Sequence, residues 1–472
     1  MKKLFIGGQW VDTGTYMDVL NPYDGSVVDT ICTASAELTK QAIDAAFEAR
    51  DTMKHLPAAR RGKILDNMAA LIERDKEEIA ALLCAEAGKG IMFARGEAGR
   101  TAENFKFAAD EARRLSGELV PYDASESGTN RFGYFKRYPI GVIGAITPFN
   151  FPLNLVAHKV GPAIAAGCPI VLKPASTTPL TAHKVTELLL EAGLPACGIN
   201  LVVGSGSVVG NTMVESDRIA MITFTGSPSV GLDIKAKAGI KKVTLELGSN
   251  SAAIVHEDAD IRYAVPKCVI GAFANSGQVC ISIQRIYIHE SRYDEFRNMF
   301  VDAVKASRNG DPKDEKTLVG PMIEEREAIR AEGWIKEAVS QGAVVAVGGN
   351  RKGTLLEATV LENTNEQMTI VREEVFGPVV CIMKYKTLDE VIERVNDSQF
   401  GLQAGIFTDN IQNAFKAIDR LEVGGVMIND MPTFRVDQMP YGGVKLSGTG
   451  REGPRFAVEE MTELKTVMFN LN

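Results

Sequence analysis

What most limits the folds open to this chain is an alternation that begins at residue 142. Short apolar runs of strand length lie at 142–146, 169–172, 199–203 and 221–225, with helical spacing over 153–166 and 179–192 between them. Glycine turns followed by further helices come after the last two runs. Strands that are apolar throughout and separated by helices pair in parallel, with helices covering both faces of the sheet. The fold class is therefore α/β. Ligands of such sheets bind beyond the carboxyl ends of the strands. Asn150, Lys173, Gly204 and Gly226 each fall just after one of these runs, so four loops converge on one edge and form a pocket.

The flanks extend this plan. Residues 4–31 have the turn signals of short strands, and helical spacing follows from Ser35 and over 57–73, 75–87 and 93–116. Residues 118–140 lose that spacing and gain Tyr122, Phe132, Tyr134, Phe135 and Tyr138, as a β-hairpin or arm does. A second α/β region starts near Lys242, with helices at 262–275 and 292–306 and strands at 284–289, 343–347 and 378–385. Residues 464–472 alternate like a strand but have no local partner.

At 472 residues the chain is long enough for about two or three domains. Its net charge of −8, with no stripe of lysine or arginine, argues against nucleic acid as a partner. The apolar window 160–172 is too short to cross a bilayer, and the first residues are too briefly apolar for a signal peptide. The seven cysteines are scattered, with no metal-ligand spacing. That favours free thiols in a reducing cytoplasm and no metal site.

One cysteine keeps company that the others lack. Cys280 follows Asn275-Ser276-Gly277-Gln278-Val279, where the glycine allows close backbone approach to a bound molecule. A carboxylate sits in Leu245-Glu246-Leu247-Gly248 and an amide in Pro148-Phe149-Asn150-Phe151-Pro152. A nucleophile, a base and an oxyanion donor in glycine- or proline-framed turns are what acyl chemistry at a thiol requires. Phosphate-binding signals accompany them. Gly204-Ser205-Gly206-Ser207-Val208-Val209-Gly210 has one residue too many for the dinucleotide fingerprint, so alone it reads equally as a plain turn. Phe224-Thr225-Gly226-Ser227-Pro228 reads as a capped helix start whose N–H groups can hold a phosphate. Lys173 ends a buried strand, where an amine would meet a ribose or phosphate.

With these pieces in place, the sequence closely resembles the aldehyde dehydrogenase superfamily over essentially its whole length. The resemblance is carried by the motifs around Asn150, Lys173, Gly226, Glu246 and Cys280 and by Glu373-Glu374-Val375-Phe376-Gly377-Pro378, all in family order. It implies a Rossmann-like nucleotide-binding domain over 1–118 and 138–245 and an α/β catalytic domain over 246–445. An oligomerisation arm over 119–137 and 446–472 would make a homodimer or homotetramer by β-augmentation. It also implies that the Cys280 thiolate adds to an aldehyde, that Asn150 and the Cys280 N–H hold the oxyanion, and that Glu246 activates the water that hydrolyses the thioester. Glu374 would hold the nicotinamide ribose, Phe376 would pack near that ring, and Gly226 and Ser227 would face the pyrophosphate. Thr147, Pro148, Phe149, Lys173, Gly206 and Leu247 would also lie against the cofactor. Ser176 stands where a glutamate in some members grips the adenosine ribose and repels a 2′-phosphate, so NADP or dual use with NAD is favoured.

The expected substrate is a short aldehyde with a hydroxyl or anionic head group, such as lactaldehyde, succinate semialdehyde, or a sulfonate or phosphonate analogue. Arg435, joined by Arg100 and His158, is expected to face that head group, because such family members carry basic residues in the loop 431–440. A CoA-acylating semialdehyde dehydrogenase is the first alternative, and Glu246 argues against it. A non-phosphorylating glyceraldehyde-3-phosphate dehydrogenase is the second, and Val279 counts against it where those members often place an arginine.

Overall fold

The computed structural model describes residues 1–472. The alternation from residue 142 becomes the middle of an eight-stranded sheet. Ile199–Leu201, Ile170–Lys173, Val142–Ile146, Ile219–Thr225 and Lys242–Glu246 lie side by side in that order, all parallel. Antiparallel strands close both edges, Leu4–Ile6 and Gln9–Val11 on one side and Gly448–Thr449 on the other. The central strands are apolar because helices shield both faces. The helix Asn154–Ala166 is buried at all its positions, as a helix apolar on every side must be. His158 and Lys159 are therefore committed to the interior and need polar partners there.

A second sheet of seven strands runs Val344–Val347, Thr359–Glu362, Val379–Tyr385, Arg285–His289, Ala252–Val255, Gln403–Phe407 and Gly425–Ile428. Only its first pair is antiparallel. A third, antiparallel sheet joins Gly117–Leu119, Arg131–Pro139 and Thr462–Asn470. In the segment read over 118–140 as a hairpin or arm, Arg131–Pro139 thus pairs both with Gly117–Leu119 and, over its whole length, with the distant strand Thr462–Asn470. Residues 446–472 contribute three elements. Gly448–Thr449 joins the eight-stranded sheet, and Pro454–Glu460 is a helix against Asn154–Ala166.

Candidate active site

Loops from the parallel sheet and from the second α/β region enclose a cavity of about 730 Å³. Most of the residues nominated from sequence line it: Thr147, Pro148, Phe149, Asn150, Lys173, Gly206, Gly226, Ser227, Glu246, Leu247, Cys280, Glu374 and Phe376. Ser176, Arg100, His158 and Arg435 do not.

The loop bearing the thiol is strained. After the helix Ile261–Phe273, three successive residues take left-handed backbone angles, Asn275 at φ 53°, Ser276 at φ 57° and Gly277 at φ 68°. Non-glycine residues adopt this region at a cost, so other contacts must hold them there. The Ser276 hydroxyl donates to the Gly320 carbonyl (2.9 Å), and the Asn275 amide donates to the Asn150 carbonyl (3.2 Å). The Gln278 side chain accepts from the Ile323 N–H at 2.9 Å. Gly277 is required for a reason other than the one read from sequence. A Cβ there would lie 2.1 Å from the Gly377 carbonyl oxygen, so the close approach is to protein backbone and not to a ligand.

The Cys280 sulfur lies 2.9 Å from the Tyr441 hydroxyl. Burial pushes the thiol up to about 11, Tyr441 and Arg435 pull it down, and Glu374 and Glu246 add to the rise. Asn150 donates one N–H to the Gln278 carbonyl at 2.9 Å, while its own amide oxygen is buried without a partner. Glu246 is buried, and neither carboxylate oxygen has a hydrogen-bond partner. Burial, followed by repulsion from Glu452, raises its pKa well above the ordinary carboxylate value. A carboxyl in that state holds a proton until the pH is high or a water reaches it, and it takes protons readily once ionised.

Behind Glu246 lies a charged network. Lys159 donates to Glu452 and to the Thr225 hydroxyl, both at 2.8 Å, and Arg435 donates to Glu452 at 3.0 Å. Burial alone would raise the Glu452 carboxyl, but Lys159, His158 and Arg435 hold it well below the usual range. A second carboxylate, Asp437, accepts two bonds from Arg100 (3.2 and 2.8 Å) and one from the Asn154 amide (3.0 Å). His158 Nε2 lies 2.8 Å from Asp437 and 3.0 Å from Arg435. The three basic residues nominated from the sequence are therefore brought together, but none is free. Arg100 and Arg435 each pair with a buried carboxylate, and His158, its pKa lowered by burial and by Arg435, sits between them.

The remaining walls fit a dinucleotide. Lys173, lowered to about 8 by burial, has only the Pro174 carbonyl for a partner at 3.3 Å. The helix Pro228–Lys237 begins beside the cavity with no side chain capping its first N–H groups, an arrangement that receives phosphate oxygens. Burial raises Glu374 to about 7, and its carboxylate accepts from the Ser249 N–H at 2.9 Å. A Cβ on Gly248 would lie 2.3 Å from that carboxylate, so a glycine there gives Glu374 its position. Phe149 and Phe376 meet edge to face with centroids 5.8 Å apart. Ser176 turns away and donates to the Gly204 carbonyl at 3.0 Å.

Tyr441, Lys159 and Glu452 were missed in the sequence. A lysine inside a helix apolar on all sides was the available signal, because such a charge demands a buried partner.

The model of the aldehyde dehydrogenase family matches residues 10–467 of this chain. The 3-sulfolactaldehyde dehydrogenase of Priestia aryabhattai is 46% identical over 469 residues, which span 99% of this chain and 98% of that protein. Aldehyde dehydrogenase 21 from Physcomitrella patens, solved in complex with the reaction product succinate, superposes with a TM-score of 0.97 at 42% identity, covering 100% of this chain and 98% of that one. Glyceraldehyde-3-phosphate dehydrogenase from Methanocaldococcus jannaschii, complexed with NADP, gives 0.93 at 42% identity over 96% of this chain and 99% of that one. No helix is long and apolar enough to cross a membrane. With the thiol, the unpartnered carboxyl and the dinucleotide-shaped cavity in one place, the chain belongs to the aldehyde dehydrogenase family and is an NAD(P)-dependent oxidoreductase.

Proposed function

We propose that this enzyme oxidises a short aldehyde with an anionic or hydroxylated head group to its carboxylic acid, with Cys280 as nucleophile and Glu246 as hydrolytic base. The observation that carries the hydrolytic half is Glu246, a residue lining the same cavity as the thiol whose two oxygens are buried and unpartnered. Cys280, as thiolate, adds to the aldehyde carbon, and the Asn150 amide together with the Cys280 N–H stabilises the oxyanion. Bound NAD(P)+ supplies the acceptor for the hydride. Glu246 then takes a proton from the water that attacks the thioester. Transfer to CoA needs no such base, which argues against the acylating alternative.

The cofactor would lie along Lys173, Gly226, Ser227, Glu374 and Phe376, with Thr147, Pro148, Phe149, Gly206 and Leu247 around it. We infer NADP or dual use, because position 176 carries no carboxylate to repel a 2′-phosphate. Ser176→Glu is expected to lower kcat/KM with NADP by about tenfold or more, since like charges a few ångströms apart near a surface interact by about 4 kcal/mol. Initial rates with each cofactor check this; an unchanged ratio overturns it.

The head-group assignment rests on charge. Arg435 acts electrostatically on the thiol, and Arg100 and Lys159 belong to the same buried network through Asp437 and Glu452. An anionic head group is attracted by these cations, and the relatives named for 3-sulfolactaldehyde and crystallised with succinate support that class. A working homodimer or homotetramer is inferred from the unpaired outer edge of Thr462–Asn470, where Leu464, Met468 and Phe469 are exposed. The inferred setting is the cytoplasm, consistent with seven unpaired cysteines. The test is an initial-rate screen of 3-sulfolactaldehyde, lactaldehyde, succinate semialdehyde, glyceraldehyde 3-phosphate and hexanal with both cofactors. Anionic or hydroxylated substrates should exceed hexanal in kcat/KM by about tenfold or more, the discrimination expected when a buried polar site is left unpaired. Equal values for hexanal and succinate semialdehyde refute the head-group assignment.

A further inference from the structure

We propose that Tyr441 is a further catalytic residue, whose phenol donates a hydrogen bond to the ionised Cys280 sulfur and holds it in position for attack. The two atoms lie 2.9 Å apart, and neither has any other side-chain hydrogen-bond partner. A buried hydroxyl whose only partner is a thiol is poorly satisfied while the sulfur is neutral and well satisfied once it is charged.

The phenol cannot swing elsewhere. The Tyr441 backbone exchanges two hydrogen bonds with Glu452, of 3.1 and 2.7 Å. The side chain belongs to a buried apolar cluster with Val279, Ile281 and Leu402. The Arg435 guanidinium lies over the ring with its carbon 3.6 Å from the centroid. A cation on the ring face draws electron density from the phenol and strengthens it as a donor. Glu452 fixes that guanidinium, so the network behind Glu246 also sets where the Tyr441 hydroxyl stands.

The need for such a donor follows from the other groups facing the sulfur. Glu374 and Glu246 disfavour a thiolate, Arg435 favours it only from across the ring, and the Asn150 amide, one N–H of which donates to the Gln278 carbonyl, makes no hydrogen bond to the sulfur. Tyr441 is the one side-chain donor in contact with the sulfur. The phenol keeps its proton throughout. The thiol proton leaves to Glu246 or solvent, and the sulfur electron pair forms the bond to the aldehyde carbon.

This inference rests on Cys280 being the nucleophile, yet its test needs no aldehyde. The rate of Cys280 carbamidomethylation by iodoacetamide, followed on the Cys280 peptide by mass spectrometry, is measured against pH for the wild type and Tyr441→Phe. The substitution removes one oxygen and keeps the ring under Arg435, and an unchanged melting temperature checks the fold. Loss of a donor to the charged form should move the alkylation midpoint up by about one pH unit, making alkylation about tenfold slower at neutral pH. The acid limb of kcat/KM against pH should move in the same direction. A Tyr441→Phe alkylation profile that matches the wild type overturns the inference, whatever happens to turnover. So does a shifted alkylation profile with an unmoved kcat/KM profile, which would confine the bond to the resting enzyme. If instead Cys280→Ala retained activity, the proposed nucleophile would fail while the Tyr441 alkylation result stood.

Discussion

Cys280→Ala is expected to fold normally, bind NAD(P) and lose aldehyde oxidation by about ten-thousand-fold or more, the scale on which removal of a covalent nucleophile acts. Cys280 is the only thiol among the groups lining the cavity. Lys173, the cavity's amine, lies at the end of a different strand, with the Pro174 carbonyl as its partner. The side chain is half-buried and the substitution removes one atom, so the loss of stability should stay near 1 kcal/mol. Steady-state rates with saturating aldehyde, beside a thermal melt and a cofactor titration, separate chemistry from folding. Activity within tenfold of wild type would show that another group performs the attack.

Glu246→Gln should separate the two halves of the reaction. Oxidation precedes hydrolysis, so a rapid burst of reduced cofactor, close to one per site, should survive. Steady-state turnover should fall by about a hundred- to ten-thousandfold, the usual contribution of a positioned base. The acyl group should then accumulate on Cys280 and appear as added mass on the intact protein. Loss of the burst together with turnover would assign Glu246 to deprotonation of the thiol instead. The same substitution carries a pH signature. Because the folded state raises the Glu246 pKa, wild-type stability from this group is full below the unfolded value near 4.5 and is lost as pH rises through the raised value. The glutamine variant does not titrate, so its melting temperature should exceed wild type at alkaline pH and gain nothing in acid. Hydrolysis needs the ionised carboxylate, so the wild-type acid limb for turnover should lie above the ordinary carboxylate range.

The parallel sheet was legible because its strands are apolar on both faces, a pattern that few other folds need. The helix read as 153–166 and the observed Asn154–Ala166 differ by one residue, since the buried face continues to both ends. Cys280, Glu246 and Asn150 were legible through the turns that frame them. What the sequence hid was pairing at a distance. Arg100 and Arg435 were visible as cations, but Asp437 and Glu452, which neutralise them, gain that role only when the loop 431–440 folds over Asn154–Ala166. Tyr441 sat in a glycine-rich loop with nothing local to mark it, and its link to Cys280 spans 161 residues. Ser176 was placed at the right sheet edge, but the direction of its hydroxyl depends on a carbonyl 28 residues away.

The antiparallel sheet that joins Arg131–Pro139 to Thr462–Asn470 also bears on how the molecule is made. Translation at about 5–20 residues per second sets an interval of roughly a quarter of a minute to a minute between the two strands. Throughout that interval, Arg131–Pro139 has only the short Gly117–Leu119 beside it, and one edge stays bare. Gly448–Thr449, which closes the nucleotide-side sheet against Glu246, is equally late. The nascent chain therefore carries an incomplete base site and a sticky flank until synthesis has passed both segments. That flank is covered only when synthesis is nearly complete, and a ribosome stalled before residue 448 would hold a species prone to mispairing with its neighbours.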